Sequence, residues 1–109
     1  MSRRRRRRGP GRRRPRRTIL ITSVGPTGDV NVYSPTIHAY VEDREGSLLS
    51  RHDIDVYVDG EEMRFNYNPS SGSLRCSPGR LSSGTHTVEI EASTDDGVGR
   101  KRWTFNVKK

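Results

Sequence analysis

From Thr18 onward, apolar residues of this chain recur at every second position in short runs, and each run is stopped by glycine, proline, asparagine or aspartate. A period of two is that of an extended strand, whose successive side chains point to opposite faces. No stretch repeats apolar residues at helical spacing over a useful length. The pattern admits one class of fold, short strands packed as sheets around a shared apolar face.

Seven runs can be read. Residues 18–24 form the first, closed by Gly25-Pro26-Thr27-Gly28-Asp29. In residues 35–42, Ile37, Ala39 and Val41 share one face while His38, Tyr40 and Glu42 take the other. Residues 42–53 are a polar connection containing Leu48-Leu49, with room for a single helical turn. Ile54, Val56 and Val58 mark the third strand, and Asp59-Gly60 is a tight-turn dipeptide. Residues 62–68 resume with Met63, Phe65 and Tyr67 in phase. Residues 73–77 place Leu74 and Cys76 inward, and Leu81 anchors the crossover that follows. His86, Val88, Ile90 and Ala92 share a face of the sixth strand; Trp103, Phe105 and Val107 do so on the seventh, and Trp103 is therefore assigned to the core. The last two strands are regular enough to pair antiparallel across the turn at Asp95-Asp96-Gly97. The expected fold is all-β, a two-sheet antiparallel sandwich of about seven strands.

Charge divides the chain in two. The 109 residues carry a formal +8, yet residues 1–17 hold eleven arginines (Arg3, Arg4, Arg5, Arg6, Arg7, Arg8, Arg12, Arg13, Arg14, Arg16 and Arg17) and no acid. Residues 18–109 have ten lysines and arginines against thirteen aspartates and glutamates, a net of −3. The arm contains nothing that fills a core, and its like charges repel, so it is predicted to be disordered. The expected organisation is an arginine-rich arm, 1–17, and one domain, 18–109.

Several roles compete for the arm. Arginine's planar fork suits phosphate, so the arm is a candidate nonspecific nucleic-acid or anionic-surface binder. If every arginine met a DNA phosphate, the salt slope would be roughly −10, an upper bound. The arm has no interleaved aromatics, hence no stacking platform and no base readout. Arg16-Arg17 before Thr18-Ile19-Leu20-Ile21 superficially suggests a twin-arginine export signal. The apolar stretch stops at Thr22-Ser23, however, and no small-residue cleavage site follows, so no signal peptide is read. A low-complexity linker, or an upstream stretch read as coding, is the plain alternative. No apolar run is long enough for a transmembrane helix.

Residues 24–107 resemble the bacterial immunoglobulin-like domains repeated in secreted and surface proteins. The resemblance is carried by Val24-Gly25-Pro26-Thr27-Gly28, Ser34-Pro35-Thr36-Ile37, Val56-Tyr57-Val58-Asp59-Gly60, Gly84-Thr85-His86-Thr87-Val88 and Arg102-Trp103-Thr104-Phe105-Asn106-Val107. It implies a sandwich without the disulfide of antibody domains. It also implies a non-catalytic module, a spacer, adhesive or accessory binding domain at a protein or polysaccharide surface, and an extracellular or cell-surface location. It does not cover the arm.

Chemistry-bearing residues are few. His38, His52 and His86 have no metal-ligand spacing, and His86, in phase with Val88, caps the core. Cys76 alternates with Leu74 as a small buried residue; as the sole cysteine it can form no internal disulfide. No nucleophile or phosphate-loop motif is present, so neither an enzyme nor a cofactor is expected. In an up-and-down strand order, Glu42, Asp43, Glu45, Asp53, Asp95 and Asp96 gather at one end of the sandwich. Glu42, Asp43, Asp95 and Asp96 are the candidate oxygen ligands for a calcium ion. Ordinary solvated loops, neutralised by Arg44, Arg51 and Arg100, are the competing reading. The first strand should run antiparallel to the second, so the arm should leave at this acidic end. Tyr40 and Tyr57 point away from the core and Tyr33 precedes the second strand. These three are candidate ligand-facing aromatics, with shielding of the sheet surface as the alternative.

Overall fold

The computed structural model describes residues 17–43, 49–94 and 97–108. Strands β1 (Arg17–Gly25), β2 (Gly28–Val30) and β3 (Ile37–Asp43) precede a 3-10 turn (Arg51–Asp53). Then come β4 (Ile54–Val58), β5 (Glu61–Met63), β6 (Asn66–Asn68), β7 (Ser73–Cys76), β8 (Gly84–Thr94) and β9 (Gly97–Val107). They form a two-sheet sandwich. The front sheet has the order β5-β4-β8-β9-β2 and the back sheet β1-β3-β7-β6. Hydrogen bonding runs on from one sheet to the other because β1 belongs to both. Arg17 and Thr18 pair in parallel with Gly97 and Val98 of β9, and from Ile19 onward β1 pairs antiparallel with β3.

The alternation seen in the sequence is what builds the core. Ile37, Ala39, Val41, Leu74 and Cys76 of the back sheet face Val56, Val58, Val88, Ile90, Phe105 and Val107 of the front, all of them buried. Leu49 closes one end. Burying these faces at about 25 cal/mol per Å² of apolar surface is the main force holding the two sheets together. Asp59 (φ 54°) and Gly60 (φ 86°) both take left-handed conformations, which gives the β4–β5 hairpin the twist its strands require. Ser23 (φ 51°) sits in a bulge, where β1 advances one residue more than β3 between the Thr22–Tyr40 and Gly25–His38 pairs. The helical turn expected in the 42–53 connection falls at Arg51–Asp53. It is capped by Ser50, whose Oγ accepts the His52 N–H at 3.0 Å while its own N–H donates to Asp53 Oδ2 at 3.0 Å. Among the described residues, no helix is long and apolar enough to cross a membrane.

Three expectations need correction. Among the described residues there are nine strands where about seven were expected. The predicted 62–68 strand divides, because the chain leaves the front sheet after Met63 and joins the back sheet at Asn66. The other addition is β2, which resumes after Pro26 alongside β9. Second, the sandwich is not purely antiparallel, since β1 and β2 both meet β9 in parallel. Third, Trp103 is only half-buried. It pairs with Val88 of β8 on one side, but on the other it lies on the stretch of β9 between the pairings to β1 and to β2, where no strand stands beside it. Its Nε1–H donates to the Pro26 carbonyl at 3.0 Å, so it ties β9 to the β1–β2 link while packing against the margin of the core.

Candidate functional surfaces

Arg17 pairs with Gly97, and Ile19 with Asp43. The chain therefore enters the sandwich where β3 ends, β4 begins and β8 turns into β9, as the antiparallel pairing of the first two long strands requires. Of the residues expected to act there, Arg3, Arg4, Arg5, Arg6, Arg7, Arg8, Arg12, Arg13, Arg14 and Arg16 lie outside the described residues, as do Glu45, Asp95 and Asp96. Strand alternation separates the other two candidate calcium ligands, turning Glu42 to solvent and Asp43 to the interior, where it is 8% exposed. Asp53 is engaged by its cap. Among the described residues, no three His, Cys, Asp or Glu side chains gather as a metal would need.

The three tyrosines occupy three surfaces. Tyr40 is 45% exposed on the outer face of the back sheet, between Thr22 and Ser73. Tyr57 lies on the outer face of the front sheet between Glu62 and Glu89. The Asp55 carboxylate first, then burial and the glutamates Glu62, Glu91 and Glu89, hold its hydroxyl above the usual tyrosine range. Tyr33 packs partly on the core, and the Arg80 guanidinium covers its ring at 4.4 Å.

His86 and Asp59 look at first like a catalytic pair. His86 is 7% exposed; its Nδ1 donates to Asp59 Oδ2 at 2.6 Å and its Nε2 donates to the Ser82 carbonyl at 2.7 Å. Asp59 Oδ1 also accepts the Thr87 N–H at 2.9 Å. Both imidazole nitrogens meet acceptors, so the protonated ring is the form the site selects and no lone pair is left to act as a base. The Asp59 hydrogen bond, then that to Ser82, raises the His86 pKa. Burial pushes the Asp59 carboxyl up, but the bonds from His86 and Thr87 outweigh it and leave a net lowering. Cys76 is buried, and burial pushes its thiol up, away from the reactive thiolate.

A pH dependence of stability follows, with its sign fixed by these directions. The raised His86 stabilises the fold fully below its ordinary value of 6.5, and this is lost as pH rises through the folded value. The lowered Asp59 stabilises above its ordinary 3.8, and this is lost as pH falls through the folded value. Thermal melts should show the pair's full contribution from about pH 4 to 6.5 and a falling midpoint above that window. In His86→Gln the alkaline fall should flatten. An unchanged alkaline slope would mean that His86 is neutral in the fold.

The strand crossover creates a surface that periodicity could not show. Where the chain passes from β5 to β6, the two sheets part along one side and leave a trough. One hollow of about 470 Å³ is lined by Arg51, His52, Asn66, Tyr67, Asn68 and Arg75, among others. A second of about 800 Å³ adds Asp55, Glu62, Arg64 and Phe65. They share Arg51, His52, Asn66 and Arg75, so they form one continuous groove. Its wall is fixed by Tyr67, whose hydroxyl donates to the Val41 carbonyl at 2.7 Å and ties β6 to β3 across β7.

No protein-family model matches the sequence, and no curated protein matches it. Solved structures do. CopC from Methylosinus trichosporium OB3b superposes with a TM-score of 0.64 at 13% identity, over 83% of this chain and 93% of that one. Titin M4 gives 0.59 at 14% identity, over 83% and 95%. The fold is immunoglobulin-like. An endo-beta-1,4-mannanase from Thermotoga petrophila gives 0.62 at 13% identity, over 91% of this chain but only 21% of that one. The immunoglobulin-like fold thus occurs both as a titin unit and as one module of a larger enzyme. At such identities the likeness concerns the fold alone.

Proposed function

We propose that residues 18–109 act as a non-catalytic immunoglobulin-like module, a spacer or accessory binding domain of the kind repeated in bacterial secreted and surface proteins. Residues 1–17 form a basic arm attached to it. The observation that carries this reading is the state of the side chains best suited to chemistry. His86 spends both nitrogens on acceptors, and the thiol of Cys76 is buried. The occurrence of the fold as about a fifth of a mannanase chain supports an accessory role. A protein or polysaccharide at the cell surface is the partner class that suits such a module, with no cofactor. The arm supports a second reading, sequence-independent binding to nucleic acid or another polyanion, because its eleven arginines stand beside no acid.

Incubating the full chain with a panel of neutral and anionic cell-wall polysaccharides tests the first reading. Retention on at least one of them, with no release of reducing ends, is the expected result. Cleavage of any polymer would overturn it.

A further inference from the structure

The groove between β5 and β6 is the surface whose chemistry departs most from the rest of the domain. The body carries a net −3, yet Arg51, Arg64 and Arg75 all open into this one trough. All three are exposed, and among the described residues none of them forms an ion pair. Three other surface cations are engaged, while Lys101 and Arg102 are exposed without an ion pair among the described residues. Arg100 reaches Glu91 and Glu89, Lys108 lies 3.6 Å from Asp29, and Arg80 covers Tyr33. Three arginines opening into one groove, whose first hollow is lined by no acid, form a ready set of bidentate donors for carboxylate or sulfate.

The register explains how they come together. Asn66 stands opposite Arg75 on the back sheet, so both project from the same face. Arg64 lies in the crossover itself, and Arg51 is brought in by the capped 3-10 turn that starts β4. Arg51 and Arg75 line both hollows, and Asp55 and Glu62 line only the second, where Arg64 stands with them, so an anionic ligand is held most firmly in the first hollow and reaches Arg64 at its far end.

The shape decides the ligand class. The trough is open and runs through two joined hollows, which suits a chain of linked units better than a single small molecule. An extended peptide could add a strand to a sheet edge, but β5 and β6 are three residues each and offer little edge to pair with. The amide of Asn66 and the guanidinium groups are donors suited to sugar hydroxyls and to the acids borne by sugars. We propose that this groove binds a segment of anionic polysaccharide, with Arg51, Arg64 and Arg75 taking its carboxylate or sulfate groups. The proposal rests on the reading of the domain as a binding module, and it can fail while that reading stands.

The test is heteronuclear NMR on the full chain with a galacturonic acid trimer at about 0.2 M salt, where weak contacts of the arm are largely screened. Backbone signals of Asn66, Asn68, Ser73 and Arg75 should shift. The triple variant R51Q/R64Q/R75Q should bind roughly tenfold more weakly, and the single variant R75Q by a smaller factor, both with native spectra elsewhere. Shifts confined to residues 1–17 would overturn the proposal. So would equal shifts with a neutral mannose trimer, which would leave the binding-module reading intact. Tighter binding of a glutamate peptide than of the trimer would also overturn it, in favour of a protein partner. If no polysaccharide of either charge binds anywhere on the sandwich, the accessory-binding reading fails as well.

Discussion

Phe105→Ala should destabilise the domain by about 3–5 kcal/mol, the usual cost of deleting a fully buried aromatic ring. Phe105 is 2% exposed and heads the largest fully enclosed side chains, with its ring centroid 5.8 Å from that of His86. Deleting it opens a cavity between the front-sheet apolar row and the back sheet. It also removes the ring that packs against the buried His86 imidazole. Domains of this size have about 5–15 kcal/mol in total, so the variant should stand near the edge of folding. Urea melts should show a much lower midpoint with an unchanged slope. Phe105→Leu should cost clearly less, because most of the volume is kept. A midpoint for Phe105→Ala close to that of the parent would show that the two sheets do not close over this ring.

Gly99→Val should be comparably damaging for a different reason. Gly99 is buried, and a Cβ placed there would lie 2.5 Å from the Ile19 carbonyl oxygen and 2.9 Å from the Ile19 Cβ. The obstacle is backbone, which cannot rotate out of the way. This is the place where β1 leaves β9 and crosses to the back sheet, so the substitution pushes apart the two strands that join the sheets. Alanine should cost about 1–3 kcal/mol by overpacking, and valine more. Amide exchange should speed up first in Ile19, Leu20 and Ile21, ahead of the β8–β9 hairpin. Equal acceleration throughout would mean that the close approach at Gly99 does not hold β1 in place.

What could be read from the sequence, and what could not, divides along one physical line. Period-two alternation correctly turned Ile37, Ala39 and Val41 inward, and likewise Leu74 with Cys76 and Val88 with Ile90, because facing is a local property of a strand. Alternation carries no information about which sheet a strand joins. Met63, Phe65 and Tyr67 stay in phase straight through the crossover, so one strand was expected where two exist in different sheets. Trp103 had the right phase for the core but stands where β9 has a partner strand on one side only, and phase cannot show that gap. The partner of His86 lies 27 positions away at a turn whose sequence was legible, yet nothing in the sequence links the two. The groove was missed for the same reason. Arg64 and Arg75 sit out of phase with the core and so read as ordinary surface, and only the crossover and the capped turn bring them to Arg51. The separation of charge was fully legible, since it depends on position along the chain alone.

That the sandwich rather than its attached charge is the working part is tested most directly by comparing two proteins, the 109-residue natural chain and one with its eleven arm arginines replaced by glutamine. Each is titrated with the polysaccharide panel and with a duplex DNA fragment as salt is raised to about 0.2 M. Both proteins should hold the same polysaccharide with similar affinity, while the natural chain's grip on DNA falls by at least about a thousandfold across the salt range. Tight DNA binding that survives the higher salt and vanishes with the arm arginines, together with no retention on any polysaccharide, would contradict it.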